Sequence, residues 1–246
     1  MEQTDILLTI LFFIIFLICE SKSESYNTII NNRPVTLLYP DSQTAIVSMY
    51  TIDTKKISKY TIDNLKMYCN IYKYGLYIYF KSPQKTSKDV STDKFKTILD
   101  ILTNKNQHKY IVWLDFNCFI VNKLKIFLDY ISLHQNVDFI MCKNKQSNMF
   151  LTNMIIIKNT DWSRKIIKSA LHYSDNNAIQ SNTDSYILYK IIKKDGIITN
   201  KINKVNGIHE NIYLYNYDDF FSKNMFLTID NSIPSIININ KKLDVY

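Results

Sequence analysis

A three-layer α/β domain, with a mostly parallel central sheet and helices on both of its faces, is the architecture this sequence predicts. Three observations carry that reading. Strand-length apolar runs alternate with helix-length amphipathic segments along most of the chain, the order that builds parallel sheets. The chain has 246 residues, 46% of them hydrophobic, enough to fill one substantial core. One apolar run, Tyr110-Ile111-Val112-Trp113-Leu114, ends abruptly on Asp115-Phe116-Asn117. A carboxylate at the C-terminal end of a buried strand is where open α/β sheets present polar groups to ligands.

The elements follow in order. Ala45–Tyr50 reads as a buried strand. Lys55–Asn70 reads as a helix with Ile57, Tyr60, Ile62, Leu65 and Tyr68 on one face and Asp53 as its N-cap. Gly75–Phe80 is a strand, Thr92–Thr103 a helix, and the strand at 110–115 comes next. A helix is expected over Asn122–Leu133, a strand over Val137–Cys142, and another strand within Met149–Lys158. Two helices follow, Asp161–Ser174 capped by Thr160, and Asn182–Lys194; the remainder reads as short strands and loops. The expected division is a leader over 1–21, a linker over 22–42, one catalytic-type domain over 43–233 and a tail over 234–246.

Residues Ile6–Cys19 form an uncharged apolar run, short for a bilayer span and of the length of a signal-peptide core. The flanking Glu2 and Asp5 replace the usual basic region. This segment predicts entry into the secretory pathway, with the run either removed or kept as a membrane tether. No asparagine lies in a glycosylation sequon. The net charge is +8, but Arg33 and Arg164 are the only arginines and the lysines are scattered. Without a basic cluster, nucleic acid is not the expected partner; the charge suits a solvated surface and mildly favours anionic ligands. Cys19, Cys69, Cys118 and Cys142 show neither metal-ligand spacing nor a disulfide framework. No glycine-rich dinucleotide or phosphate loop and no nucleophile elbow occurs, which disfavours dehydrogenases, P-loop NTPases and α/β-hydrolases.

Asp115 and Asn117, oxygen-bearing side chains at i and i+2, suit a hard divalent cation and the diphosphate it carries. The plainer reading is an ordinary turn after a strand. Taken together with three other stretches, this one resembles glycosyltransferases of the GT-A fold, and within them family 34, the fungal α-galactosyltransferases and plant xyloglucan xylosyltransferases. The first stretch is Ala45-Ile46-Val47-Ser48 with Asn64-Leu65-Lys66-Met67-Tyr68-Cys69 and Tyr74-Gly75-Leu76. The second is Trp113-Leu114-Asp115-Phe116-Asn117, similar to the donor motif Trp-Leu-Asp-x-Asp. The third runs from Leu151 to Ser163, with Lys158, Asn159, Trp162 and Ser163 in register. The fourth is Thr183-Asp184-Ser185, at the family's acidic motif. The likeness covers about residues 44–230.

The resemblance implies transfer of a hexose or pentose from a nucleotide-diphosphate sugar to a glycan acceptor, with retention of configuration and with Mn²⁺ or Mg²⁺. Asp115 and Asn117 would hold the cation. Asp184 would be the carboxylate beside the sugar, although an acid at a helix start also complements the helix dipole. Tyr50, ending the first strand, would lie against the base or ribose; core packing is its plainer role. The family's late metal-binding histidine has no counterpart. Lys223 stands at its position, or Thr228 in an alternative alignment, and a lysine there could neutralise diphosphate as a point charge. The amide at Asn117 brings no charge, so metal affinity should be weaker than with an acid. These departures leave a second expectation open: a catalytically degenerate GT-A domain that binds glycan or a partner protein.

Overall fold

The computed structural model describes residues 35–51, 55–81, 87–103, 108–124, 126–143, 150–176, 183–194, 207–209, 212–216 and 226–228. The strands are β1 (Val35–Leu38), β2 (Thr44–Thr51), β3 (Gly75–Lys81), β4 (Tyr110–Leu114), β5 (Cys118–Ile120), β6 (Phe139–Lys143), β7 (Phe150–Lys158), β8 (Gly207–His209), β9 (Ile212–Asn216) and β10 (Phe226–Thr228). The helices are α1 (Lys55–Tyr72), α2 (Ser87–Thr103), α3 (Phe127–Leu133), α4 (Asp161–Asn176) and α5 (Asp184–Lys194).

Eight strands form one sheet in the order β1-β3-β2-β4-β7-β6-β9-β8, and β5 pairs with β10 in a separate two-stranded ribbon. β3, β2 and β4 are mutually parallel, as are β6 and β9. β7 runs against both β4 and β6, and β1 and β8 run against their neighbours. Five of the eight strands therefore share one direction, the mostly parallel sheet expected from the sequence.

Strand side chains alternate between two cores, as the period of two requires. Ala45, Val47, Met49, Ile111 and Trp113 face one side, where Phe95, Ile98 and Ile101 of α2, Ile166, Ile167 and Ala170 of α4, and Ile187, Leu188 and Ile192 of α5 cover them. Ile46, Tyr50, Val112 and Leu114 face the other, under Ile62, Leu65, Tyr68 and Cys69 of α1 and Phe127 and Ile131 of α3. With helices on both faces, the central strands are apolar throughout rather than alternating. Each fully buried Leu, Ile or Phe in these layers contributes about 1.5–3 kcal/mol relative to exposure.

Local signals explain the ends. Thr160 caps α4, its Oγ1 accepting the Ser163 amide at 3.2 Å, and Asp161 sits in the first turn where the helix dipole favours an acid. α1 ends with Lys73 in the left-handed region at φ 56°, and the Tyr74 amide donates to the Cys69 carbonyl at 3.1 Å. That is the Schellman closure, made here without glycine. Gly75 follows where space is short: a Cβ would stand 3.1 Å from both the Ala45 Cβ and the Tyr39 carbonyl and 3.2 Å from His108 Cε1.

Two boundaries differ from the sequence reading. β1 lies inside the expected linker and extends the sheet past β3. The helix expected from Asn122 begins at Phe127, because the Asn122 side chain accepts the Leu124 amide at 3.0 Å and closes a local turn instead. The proposed cap Asp53, the apolar run 6–19 and the tail 234–246 lie outside the described residues. Among the described residues no helix is long and apolar enough to cross a membrane.

Candidate functional site

The end of β4 is where the sheet opens. The chain leaves Leu114 into a tight turn in which the Cys118 amide donates to the Asp115 carbonyl at 2.9 Å, and then enters β5. The Asp115 amide keeps the ladder going for one more step by donating to the Asn153 carbonyl of β7 at 2.8 Å. Because β7 is reversed, its beginning meets the end of β4. Its pairing with β6 jumps from Met141↔Ile155 to Cys142↔Leu151, which leaves Thr152, Asn153 and Met154 without β6 partners. Irregularities of this kind free backbone groups beside functional sites. Here the freed carbonyl is that of Thr152.

Lys94, on the buried face of α2 and only 2% exposed, reaches this point. Its Nζ donates to Asp184 Oδ2 at 2.5 Å, to the Thr152 carbonyl at 2.6 Å and to Asp115 Oδ1 at 3.0 Å. All three ammonium hydrogens are thereby used. The same Asp115 Oδ1 accepts the Trp113 indole N–H at 2.6 Å. Asp184 opens α5, its Oδ1 accepting the Ser185 amide at 3.0 Å, while Thr183 supplies the cap. The Thr152 and Ser185 hydroxyls lie 3.2 Å apart beside it.

Two carboxylates on one ammonium leave the group one negative charge in excess. Burial pulls Lys94 toward losing its proton, but the charges of Asp115 and Asp184 outweigh it and hold its pKa above the ordinary lysine value. Burial raises both acids. At Asp184 the Lys94 charge and its hydrogen bond win, and the pKa falls below the usual carboxylate range. At Asp115 burial and the neighbouring Asp184 charge win, and the pKa is raised. Solvent still reaches 29% of the Asp115 side chain and 22% of Asp184, so the group is partly open to a ligand.

Asp115 Oδ2 accepts no hydrogen bond among the described residues. Asn117, at the third position of the turn and partly exposed, receives only a weak S–H contact from Cys118 at 3.9 Å. No group of three or more His, Cys, Asp or Glu side chains capable of holding a metal occurs among the described residues. Asp115 Oδ2 and the Asn117 amide oxygen are oxygen donors of the kind a divalent cation takes when it is shared with a ligand's phosphates.

The structure joins Asp115 and Asp184, predicted separately, through a residue the sequence reading passed over. A lysine falling on the apolar face of α2, between Ser91 and Ile98, was the available signal for Lys94. Tyr50 is fully buried, its ring 6.1 Å from Phe80 and 6.3 Å from Phe116. That placement is core packing at the strand end, with no ring face open to a base. Lys223 lies outside the described residues; Thr228, its alternative, pairs through its backbone with Cys118 beside the turn. The Lys158–Ser163 stretch sits at the other end of β7, where Tyr110 pairs with Lys158. There Lys158 donates to the Gln135 carbonyl at 2.9 Å and Asn159 to the His108 carbonyl at 3.1 Å, bonds that serve the fold and not the site.

Comparison with solved structures bears on this arrangement. The chain is similar to a glycosyltransferase involved in glycosylation of the major capsid of PBCV-1, with a TM-score of 0.61 and 13% identity over 82% of this chain and 99% of that one. The fold is that of the GT-A glycosyltransferases. Weaker likenesses include the catalytic domain of Drosophila β1,4-galactosyltransferase 7 with xylobiose (TM-score 0.43, 8% identity, 76% of this chain and 71% of that one). Another is the galactosyltransferase LgtC with donor and acceptor sugar analogues (TM-score 0.41, 9% identity, 60% and 70%). No protein-family model matches the chain, and no curated protein sequence does. The likeness to family 34 thus rests on the four sequence stretches.

Proposed function

We propose that this protein is a glycosyltransferase that moves a hexose or pentose from a nucleotide-diphosphate sugar to a glycan acceptor. One observation carries the reading: in a GT-A fold, a strand-end turn and a helix start bring Asp115 and Asp184 onto one buried lysine. Transfer from such a donor places growing negative charge on the departing diphosphate and positive charge on the sugar. A divalent cation, when bound, would supply the charge opposite the diphosphate, and Asp115 and Asn117 are the side chains that would hold it. Asp184, kept ionised by Lys94, would accept hydrogen bonds from sugar hydroxyls and face the developing positive charge. Lys94 has no hydrogen left for a phosphate, so its part is to fix the two carboxylates. Lys223 is proposed as an auxiliary charge on the diphosphate. Retention of configuration is proposed on the family likeness, and action in the secretory pathway, with a membrane tether, on residues 6–19.

The second reading, a degenerate domain that binds glycan without turnover, is favoured by Asn117 in place of an acid. Calorimetric titration of the full chain with UDP and GDP, with and without Mn²⁺, separates the two. Metal-dependent binding of one nucleotide, abolished by Asp115→Ala, is expected. Failure of both nucleotides to bind would remove the transferase reading.

A further inference from the structure

The turn that carries Asp115 and Asn117 is held from below by one face of α1. Thr61 Oγ1 donates to the Phe116 carbonyl, inside the turn, at 2.9 Å. Three residues on, Asn64 Nδ2 donates to the Ile120 carbonyl at 3.0 Å, and Asn64 Oδ1 accepts the Ile120 amide at 2.9 Å. Farther along the same face, Tyr68 packs edge-on against Phe127 at 5.6 Å and the Tyr72 hydroxyl donates to the Lys123 carbonyl. The helix thus follows the chain from residue 116 to residue 127.

The Asn64 contact has a specific chemistry. β5 pairs with β10 along one edge, so the backbone groups of its other edge need partners of their own. One primary amide carries a donor and an acceptor at the spacing of a peptide group, and Asn64 uses both on Ile120 as a neighbouring strand would. Asn64 is 8% exposed and Thr61 0%, so both contacts are made away from bulk solvent. β2 adds a third tie, Ser48 Oγ to the Leu114 carbonyl at 2.6 Å, just before Asp115.

We infer that Thr61 and Asn64 are positioning residues for the donor site: they set the backbone of the 115–120 segment, and through it the spacing of Asp115 and Asn117. Neither side chain touches the ligand. This rests on the donor-site reading above, and it extends that site to two uncharged side chains of α1. A preorganised turn binds without paying to be ordered, so loosening it lowers affinity even in a folded protein.

The test uses Thr61→Val and Asn64→Leu, which remove the hydrogen bonds at near-constant volume, and Thr61→Ser, which keeps the hydroxyl. Leu65→Ala, in the core of the same helix, is the control for destabilisation alone. Two quantities are read on the full chain: affinity for UDP or GDP with Mn²⁺, and amide hydrogen exchange of peptides spanning 115–120. The expected result is an affinity loss of about five- to tenfold in Thr61→Val and Asn64→Leu, the size of one lost hydrogen bond. Exchange should quicken at 115–120 in both, with both readouts restored in Thr61→Ser. Leu65→Ala should lower the unfolding temperature while leaving the affinity of the folded protein unchanged. Equal affinity and equal exchange in Thr61→Val, Asn64→Leu and Leu65→Ala would overturn the inference. If the unaltered chain binds neither nucleotide, the donor reading fails by itself, and exchange at 115–120 still decides whether α1 sets the turn.

Discussion

Lys94→Met removes the one cation on which two carboxylates and a backbone carbonyl converge, and methionine leaves a side chain of similar length in its place. Breaking a buried pair from one side typically costs 3–5 kcal/mol because charge is left without a partner. Solvent reaches 29% of Asp115 and 22% of Asp184, which screens both; the expected loss is therefore about 3 kcal/mol. For a domain of this size that lowers the unfolding midpoint by roughly 6–12 °C. The pH dependence gives an independent check. Asp184 has a depressed pKa, so its stabilisation is present above the ordinary carboxylate range and is lost as the pH falls through its folded value. Lys94 has a raised pKa, so its share is present below the ordinary lysine range and is lost as the pH climbs through its folded value. Asp115, raised, works against Asp184 in the acid limb and flattens it. Without Lys94 both acids are unpaired, and acidification to about pH 4–5 should raise the midpoint of the variant. The assay is thermal unfolding by circular dichroism from about pH 2 to about pH 11, so that both limbs are sampled. Adding Asp184→Asn to Lys94→Met should return part of the loss. A Lys94→Met midpoint within about 1 °C of the unaltered chain at pH 7, or an unchanged pH profile, would refute the idea that one buried ammonium holds the site together.

Other outcomes follow from single positions. Gly75→Ala should destabilise by about 1–3 kcal/mol, because its Cβ would press on backbone and on Ala45, read as a shift in urea midpoint at constant slope. Lys73→Gly should raise stability by about 0.5–1 kcal/mol, since the left-handed backbone at α1's end suits glycine; a loss would mean that the Lys73–Tyr39 contact at 2.9 Å matters more. His108 is held neutral, donating from Nδ1 to the Ser42 carbonyl at 2.5 Å and accepting the Tyr77 hydroxyl at Nε2 at 2.7 Å. Burial lowers its pKa, so its contribution is present above the ordinary histidine value and is lost as the pH falls toward its folded value; His108→Gln should remove that part of the acid limb in pH-dependent melts. Asn117→Asp should tighten Mn²⁺-dependent nucleotide binding in calorimetry, and no change would mean that this side chain does not face the cation.

Much of the frame was legible because it depends on local pattern. β2, β3, β4, β7 and the helices α1, α4 and α5 announce themselves by apolar period and caps such as Thr160. Asp115 and Asp184 were visible because each sits at the end of such an element. Lys94 was hidden because its partners lie 21 and 90 residues away, and its sequence neighbours show only another lysine on a lysine-rich helix. β5 and β10, three residues each, pair across more than a hundred positions and carry too little period to be read. Tyr50 is a different case: a strand-end aromatic suggests either a ligand or core packing, and here neighbouring rings enclose it.

The reversed strand β7 has a consequence for how this site can change. Two of the groups that define it, the carbonyls of Thr152 and Asn153, belong to the main chain. Replacing the Asn153 side chain leaves those oxygens in place, so the geometry around Lys94 and Asp115 is buffered against exchange of residue type at 153, whereas the Thr152 hydroxyl also faces Asp184 and Ser185. Adding or deleting one residue where β7 begins is different: it would bring a different carbonyl to Lys94 and turn each strand side chain to the opposite face. The site should tolerate a change of residue type at 153 while its spacing is fixed, and chain length is the variable there that could switch it off.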